Sequence, residues 1–153
     1  MSNLRGKVET VIEIEASPEQ YYNIWKQAHH IPNVAGDHIQ GVDVHEGDWH
    51  SHGGVKSWKY TVDGISGVFK EKVEFDDENR VVTHNGLEGD VFKEYKSFKP
   101  VYRIFPNPKG KGSLVNLSIE YEKLHEGVPP PDIYVNKLMV NISKDLDVHL
   151  NKA

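Results

Sequence analysis

The chain has 153 residues, with 18 basic and 23 acidic side chains, nine histidines, no cysteine and a formal charge of −5. At this length one domain is the default, with a core that can form without metal or disulfide staples, and the missing cysteines exclude a disulfide scaffold and thiolate chemistry. The acidic balance argues against a nucleic-acid partner, which calls for Lys and Arg in clustered excess, and no apolar run reaches the roughly 20 residues of a membrane helix.

Residues 1–7 contain no apolar stretch of the leader kind, so the expectation is a protein without a secretory signal, located in the cytoplasm. Hydrophobic residues make up only 37% of the chain. This thin complement fits either a charged surface over an ordinary core or a shell of elements around a hollow.

From Lys7 to Glu15, the residues Val8, Thr10, Ile12 and Ile14 alternate with mostly polar neighbours, the period of a half-buried strand. Ser17, Pro18 and Gln20 then supply an N-cap, a first-turn proline and the partner of a capping box, so a helix starts at Pro18. It carries Tyr21, Tyr22, Ile24, Trp25 and Ala28 and stops near His29–Asn33, because the residue before Pro32 avoids the helical region. A second short helix has room there. Strand-like segments follow at 39–45, 55–63, 68–76, 80–87, 93–105 and 113–123, with turns at Asp63-Gly64, Asp77-Glu78 and 106–112. Pro100 lacks a ladder donor and marks an edge or a bulge. After Pro129, Pro130 and Pro131, the residues Val135, Leu138, Met139, Ile142, Leu146 and Leu150 fall on one face of an amphipathic helix of about twenty residues. The order describes an α+β fold in which a curved antiparallel sheet wraps the last helix.

Two tight hairpins allow a register to be written. A two-residue loop at Asp63-Gly64 places Tyr60 opposite Gly67, Trp58 opposite Phe69 and Lys56 opposite Glu71. A two-residue loop at Asp77-Glu78 places Phe75 opposite Arg80, Val73 opposite Val82, Glu71 opposite His84 and Phe69 opposite Gly86. Trp58, Tyr60, Phe69, Val73, Phe75 and Val82 then share one inner face, and parity sends Lys56, Glu71 and His84 to it as well. That polar row has three readings: an acid/base pair of Glu71 and His84, hydrogen-bonding groups for a ligand, or a solvated Lys56–Glu71 salt bridge. By the same alternation Val115, Leu117, Ile119 and Tyr121 face inward, as do Phe98, Tyr102 and Ile104.

His45, His50 and His52 surround Asp48, but they lie in a glycine-containing stretch without two rigid elements to hold a tetrahedral site, so no metal is expected. His29 and His30 read as rim residues of the short helices. Residues 85–90 read as a glycine turn without the spacing of a phosphate cradle. Lys93, Lys96 and Lys99 read as a solvated strand face.

Five segments together carry a family likeness: His29 through Asn33; Gly41 through Trp49; Trp58-Lys59-Tyr60 before Asp63-Gly64; Glu88-Gly89-Asp90 continuing to Glu94 through Lys99; and Glu120 through Lys123. In order and spacing they resemble the plant major latex proteins, over essentially the whole chain. Those proteins belong to the birch-pollen-allergen superfamily. The resemblance implies the helix-grip fold: a seven-stranded antiparallel sheet curved around a long C-terminal helix, with two short helices after strand one. It also implies an internal cavity for a small hydrophobic metabolite of steroid, fatty-acid, flavonoid, alkaloid or terpenoid type, and a role in defence or stress. Relatives in the superfamily are enzymes of specialised metabolism that catalyse condensation, isomerisation or cyclisation in such a cavity. The two glycines of residues 85–90 depart from the allergen pattern and count against ribonuclease activity.

On this combined reading the ligand-binding candidates are Trp25, Trp58, Tyr60, Phe69, Glu71, Val73, Val82, His84, Phe98, Tyr102, Val115, Leu117, Ile119, Tyr121, Val135, Leu138, Met139 and Ile142. Were the protein an enzyme, Glu71, His84, Lys56 and Tyr60 would be its proton-transfer groups. A cavity of roughly 300 to 1,000 Å³ is expected. No cofactor, nucleic-acid partner or membrane insertion is expected, and the chain is expected as a monomer or weak dimer.

Overall fold

The computed structural model describes residues 4–152. Residues 1–3, on which the reading of a missing leader partly rests, lie outside the described residues. The strands are β1 (Arg5–Ile14), β2 (Ile39–Glu46), β3 (Val55–Val62), β4 (Ile65–Asp76), β5 (Val81–Gly89), β6 (Tyr95–Pro106) and β7 (Ser113–Lys123). They form one antiparallel sheet in the order β1-β7-β6-β5-β4-β3-β2. The chain thus meanders from β2 to β7, and β1 closes the far edge against β7.

The capping box forms as the sequence predicts. Ser17 Oγ accepts from the Gln20 amide at 3.2 Å, and the Ser17 amide donates to Gln20 Oε1 at 2.9 Å, starting α1 (Pro18–Ile24). A 3-10 segment (Trp25–His30) and α2 (Ile31–Val34) follow. The C-terminal helix opens at residues 132–133, passes through a π-helical stretch (Tyr134–Met139) and continues as α3 (Val140–Leu150). Its α-helical part docks on the start of α1 through Asp147, whose carboxylate accepts the Glu15 amide at 3.0 Å and the Ala16 amide at 2.8 Å. Tyr21 adds a second tie: its hydroxyl meets Ser143 Oγ at 2.6 Å, and Ser143 Oγ–H donates to the Met139 carbonyl at 2.8 Å, so Tyr21 is the donor to Ser143.

The first hairpin has the predicted register. Asp63 and Gly64 both take positive φ, 52° and 80°, as a two-residue primed turn requires, and Trp58 lies opposite Phe69, Lys56 opposite Glu71 and Tyr60 opposite Gly67. The second hairpin differs. Its loop has four residues, 77–80, because Asp76 accepts the Asn79 amide at 3.1 Å and the Asn79 side chain at 3.0 Å, while Arg80 turns into β5 at φ 53°. Phe75 therefore faces Val82 rather than Arg80, Val73 faces His84 rather than Val82, and Glu71 faces Gly86 rather than His84. A bulge between Lys70 and Glu71 then sets Phe69 opposite Gly89 rather than Gly86. A slip of two residues preserves the side-chain parity, so Lys56, Glu71 and His84 remain on the inner face.

The segment 85–90 is not a turn, because β5 runs on to Gly89. The chain reverses in a 3-10 turn (Asp90–Lys93) that contains Lys93. Asp90 pins this turn by accepting the Val68 amide at 2.7 Å. Gly86 permits the extension: a Cβ there would lie 2.5 Å from the Phe98 carbonyl oxygen and 2.7 Å from the Phe92 ring. Pro100 sits in an interior strand, paired with Ile119 of β7, just past the last β5–β6 pair, Thr83 with Val101. Its missing N–H therefore falls where the ladder to β5 has already ended.

Candidate functional site

Between the inner face of the sheet and the C-terminal helix lies a cavity of about 80 Å³. Twelve of the candidates meet at its wall: Trp25, Trp58, Tyr60, Phe69, Glu71, His84, Phe98, Tyr102, Ile119, Leu138, Met139 and Ile142. Val73, Val82, Val115, Leu117 and Val135 are buried but stand off the wall. Tyr121, also off the wall, is half-buried and packs edge-on against Tyr95, with its ring over Gly6. Five wall residues are not among the ligand-binding candidates: Ile31, Ile39, Val91, Pro100 and Tyr134. Tyr134 could have been found, since it stands one helical turn before Leu138.

The cavity is much smaller than the 300 to 1,000 Å³ expected, because the aromatic rings that line it also fill it. Trp25 packs on Tyr102 at 4.5 Å between centroids and on Trp58 at 6.2 Å. Phe98 meets Tyr134 at 5.4 Å and Phe69 at 5.8 Å. A few large rings occupy the space that a longer tally of aliphatic residues would otherwise take.

The polar row is present, with its partners rearranged. Glu71 and Lys56 are each 1% exposed and His84 is 5% exposed. His84 Nδ1 lies 2.6 Å from Glu71 Oε1 although the two residues are not opposite in register, and the Trp58 indole N–H donates to the same oxygen. Glu71 Oε2 and His84 Nε2 are buried without a hydrogen-bond partner, as is the Trp25 indole nitrogen.

Lys56 is off the cavity wall. Burial pushes its amine below the ordinary lysine range, an effect that the Glu71 and Asp48 carboxylates partly offset. Its Nζ has no hydrogen-bond partner and stands 6.0 Å from the centre of the Phe75 ring. The solvated Lys56–Glu71 salt bridge is therefore overturned: both groups are desolvated, and no ion pair joins them. Burial raises the phenols of Tyr60 and Tyr102, keeping both neutral at physiological pH.

At the loop between β2 and β3, Asp48 accepts from the His50 amide at 2.9 Å and the Ser51 amide at 2.7 Å. His52, read as a loop histidine, is exposed but engaged, its Nδ1 accepting the Phe75 amide at 3.1 Å. His29 packs at a tilt against His30 and Trp49, with ring centroids at 3.9 and 4.8 Å, and burial, then His30 and His50, hold it below the usual histidine range. Among the described residues no three His, Asp or Glu side chains converge as metal ligands, and no helix is long and apolar enough to cross a membrane.

A curved sheet gripping one long helix is a fold known for hydrophobic ligand binding. The chain belongs to the pathogenesis-related protein Bet v 1 family, whose model matches residues 3–153, and within it to the major latex proteins. It is 37% identical to MLP-like protein 328 of Arabidopsis thaliana, over 97% of each chain. It is 39% identical to MLP-like protein 28 of the same plant, where 97% of this chain spans 45% of the relative. Major latex protein 22 of Papaver somniferum is 33% identical over 98% of this chain and 93% of its own. The crystal structure of major latex-like protein 151 from Panax ginseng superposes with a TM-score of 0.91 at 32% identity, covering 97% of this chain and 99% of that one. Norcoclaurine synthase from Thalictrum flavum, at 15% identity and a TM-score of 0.78 over 99% of this chain and 90% of its own, shares the fold alone.

Proposed function

We propose that this protein binds a small hydrophobic plant metabolite, of steroid, fatty-acid, alkaloid or terpenoid type, in the internal cavity and serves defence or stress responses in the cytoplasm as a monomer or weak dimer. The observation that carries the reading is the cavity itself: a wall of aromatic and aliphatic side chains enclosing one buried polar pair, Glu71 and His84. A cavity of about 150 Å³ takes a benzene-sized guest, so any larger ligand must push the wall outward, and the helical residues Tyr134, Leu138 and Met139 form part of that wall. Titrating the protein with steroid and fatty-acid probes should change the fluorescence of Trp25 and Trp58 with micromolar affinity, and Met139→Trp, which fills the space from the helix side, should abolish the response. Flat titrations over a chemically broad panel would refute the carrier reading.

A second reading, a cavity enzyme catalysing cyclisation or isomerisation, draws on the 2.6 Å contact between Glu71 and His84, since a carboxylate on Nδ1 orients an imidazole to accept a proton at Nε2. Under it, Glu71→Gln would lower turnover by about 100- to 10,000-fold with binding retained. Tyr60, also on the wall, would assist as a neutral phenol. Lys56, away from the wall, would not touch substrate.

A further inference from the structure

The sheet ends in β1 on one side and β2 on the other, and the two edges differ. Strand β2 is broken by register shifts at Ile39/Gly41 and Val44/Glu46, the kind of irregularity that blunts an edge against pairing, whereas β1 keeps one unbroken register with β7 from Arg5 to Ile14. The Lys123 amide donates to the Leu4 carbonyl at 2.8 Å, so Leu4 is a hydrogen-bonded position of that ladder, and by alternation the even residues of β1 turn their N–H and C=O groups to β7. Lys7, Glu9, Val11 and Glu13 turn theirs the other way, where no strand lies among the described residues. The opening stops at Glu15, whose amide also points away from β7 and is taken by Asp147. Apolar surface follows the same edge. Val11 is 57% exposed on the outer face, and Val8 and Ile12 are only half-buried on the inner one.

We infer that the occupant of this edge is β1 of a second copy of the chain, paired antiparallel about a two-fold axis at Thr10. Only odd residues present N–H and C=O groups at the edge, so odd residues must face odd residues across the pair, and charge then selects the register. Centred on Thr10, the pairing sets Lys7 opposite the second copy's Glu13 and Glu9 opposite its Val11, each twice by symmetry, with Val8 against Ile12 on the inner face. Centred on Glu9 it sets Glu9 against Glu9, and centred on Val11 it sets Glu9 against Glu13; both put like charges directly opposite, which destabilises a sheet. Centred on Val8 it sets Lys7 against Glu9 but leaves Ile12 and Glu13 past the end of the opposing strand. Only the Thr10 register joins opposite charges over the whole open stretch. The charges are at hand: Lys7 sits 3.2 Å from Glu9 of its own strand, with 44% and 49% of the two side chains exposed. Glu13 is 57% exposed, while its Oε1 accepts the Asn107 side-chain amide at 3.0 Å. The pairing gives the weak dimer of the proposed function its contact surface and makes no use of the cavity.

The test is sedimentation equilibrium of the full chain at pH 7 and low salt, with protein up to about 1 mM, because one strand pair is an interface at the small, weak end of the range. Lys7→Glu turns two attractive pairs per dimer into repulsive ones and should weaken association by about 5- to 50-fold. Lys7→Glu combined with Glu13→Lys restores opposite charges and should return it to within about 3-fold of the wild type. Val11→Lys faces Glu9 in the Thr10 register and should tighten the dimer by about 3- to 10-fold. In the registers centred on Val8, Glu9 and Val11 the new lysine faces Arg5, Lys7 and itself, and would weaken it. Every variant is checked for native circular dichroism, and if the double variant does not fold, Val11→Lys decides. A wild-type chain that stays monomeric at about 1 mM would overturn the inference, as would a dimer indifferent to Lys7→Glu, a folded double variant without recovery, or Val11→Lys that fails to tighten. Probe titrations followed by tryptophan fluorescence should be the same for wild type and Lys7→Glu, so a protein that dimerises as described but takes up no probe would sink the carrier reading and leave the edge pairing standing.

Discussion

Replacing Lys56 by Met should stabilise the protein, because the native side chain carries a desolvated ammonium that makes no hydrogen bond and that the Glu71 and Asp48 carboxylates offset only in part. The amine is buried, makes no hydrogen bond and forms no ion pair. An unsatisfied buried polar group costs about 1 to 3 kcal/mol. Against this stands the Phe75 ring at 6.0 Å, at the outer limit of a cation–π contact, which contributes about 0.5 to 1 kcal/mol. Methionine keeps the length of the stem and its packing. The net expectation is a gain of about 0.5 to 2 kcal/mol, which for a chain near 150 residues raises the melting temperature by about 1 to 8 °C. The pH dependence separates this account from a packing effect. The folded-state pKa lies below that of the unfolded chain, so the unfolded chain holds the extra proton between the two values, and wild-type stability rises with pH across that window. The advantage of Lys56→Met should therefore be largest near neutrality and shrink as pH approaches 10. Differential scanning calorimetry of both proteins from pH 7 to 10 checks it. A destabilised variant, or an advantage that does not change with pH, would refute the reasoning.

Asp147→Ala removes the acceptor of the Glu15 and Ala16 amides and should lower stability by about 2 kcal/mol, read in urea denaturation as a lower midpoint with an unchanged slope. Gly86→Ala should cost about 1 to 3 kcal/mol, since its Cβ meets the backbone oxygen of Phe98 at 2.5 Å; a neutral outcome in a thermal melt would mean that β5 and β6 move apart freely. His29 is held below the ordinary histidine pKa, so the stability it contributes is complete above about pH 6.5 and is lost as pH falls through its folded value. The melting temperature of His29→Phe should accordingly drop less between pH 7 and 5 than that of the wild type.

Much of the fold was legible because its signals are local. The Ser17–Gln20 capping box, the Asp63-Gly64 turn and the alternation in β1 and β7 each depend on neighbours within a few residues, and each forms as read. The second hairpin was misread because its loop is closed by side chains: Asp76 and Asn79 bond to each other, and the pattern of Asp77-Glu78 shows no trace of it. The face of Glu71 and His84 survived that error, since parity depends only on whether the slip is odd or even. Parity gives a face but not a depth. Val82, Val115 and Leu117 point inward, yet they stand off the wall, which depends on how the rings of Trp25, Tyr102 and Phe98 lie in three dimensions. The same rings explain why a low hydrophobic fraction did not produce a large hollow.

The sheet is not uniformly knit. Strands β6 and β7 share a long ladder from Tyr95 to Pro106, whereas β5 and β6 are joined by three residue pairs, Val81 to Arg103, Val82 to Tyr102 and Thr83 to Val101, plus the Ile104 amide on the Arg80 carbonyl. Past those pairs, His84 stands on one bank and Phe98 and Pro100 on the other, all of them at the cavity wall. Mechanically the sheet is two plates, β2–β5 and β6-β7-β1, riveted at one end of a seam. Past the last of those pairs no ladder bond joins the plates, and Gly86 lets β5 approach the Phe98 carbonyl closely there, so this stretch of the cavity wall is held by side-chain and backbone contact rather than by a ladder.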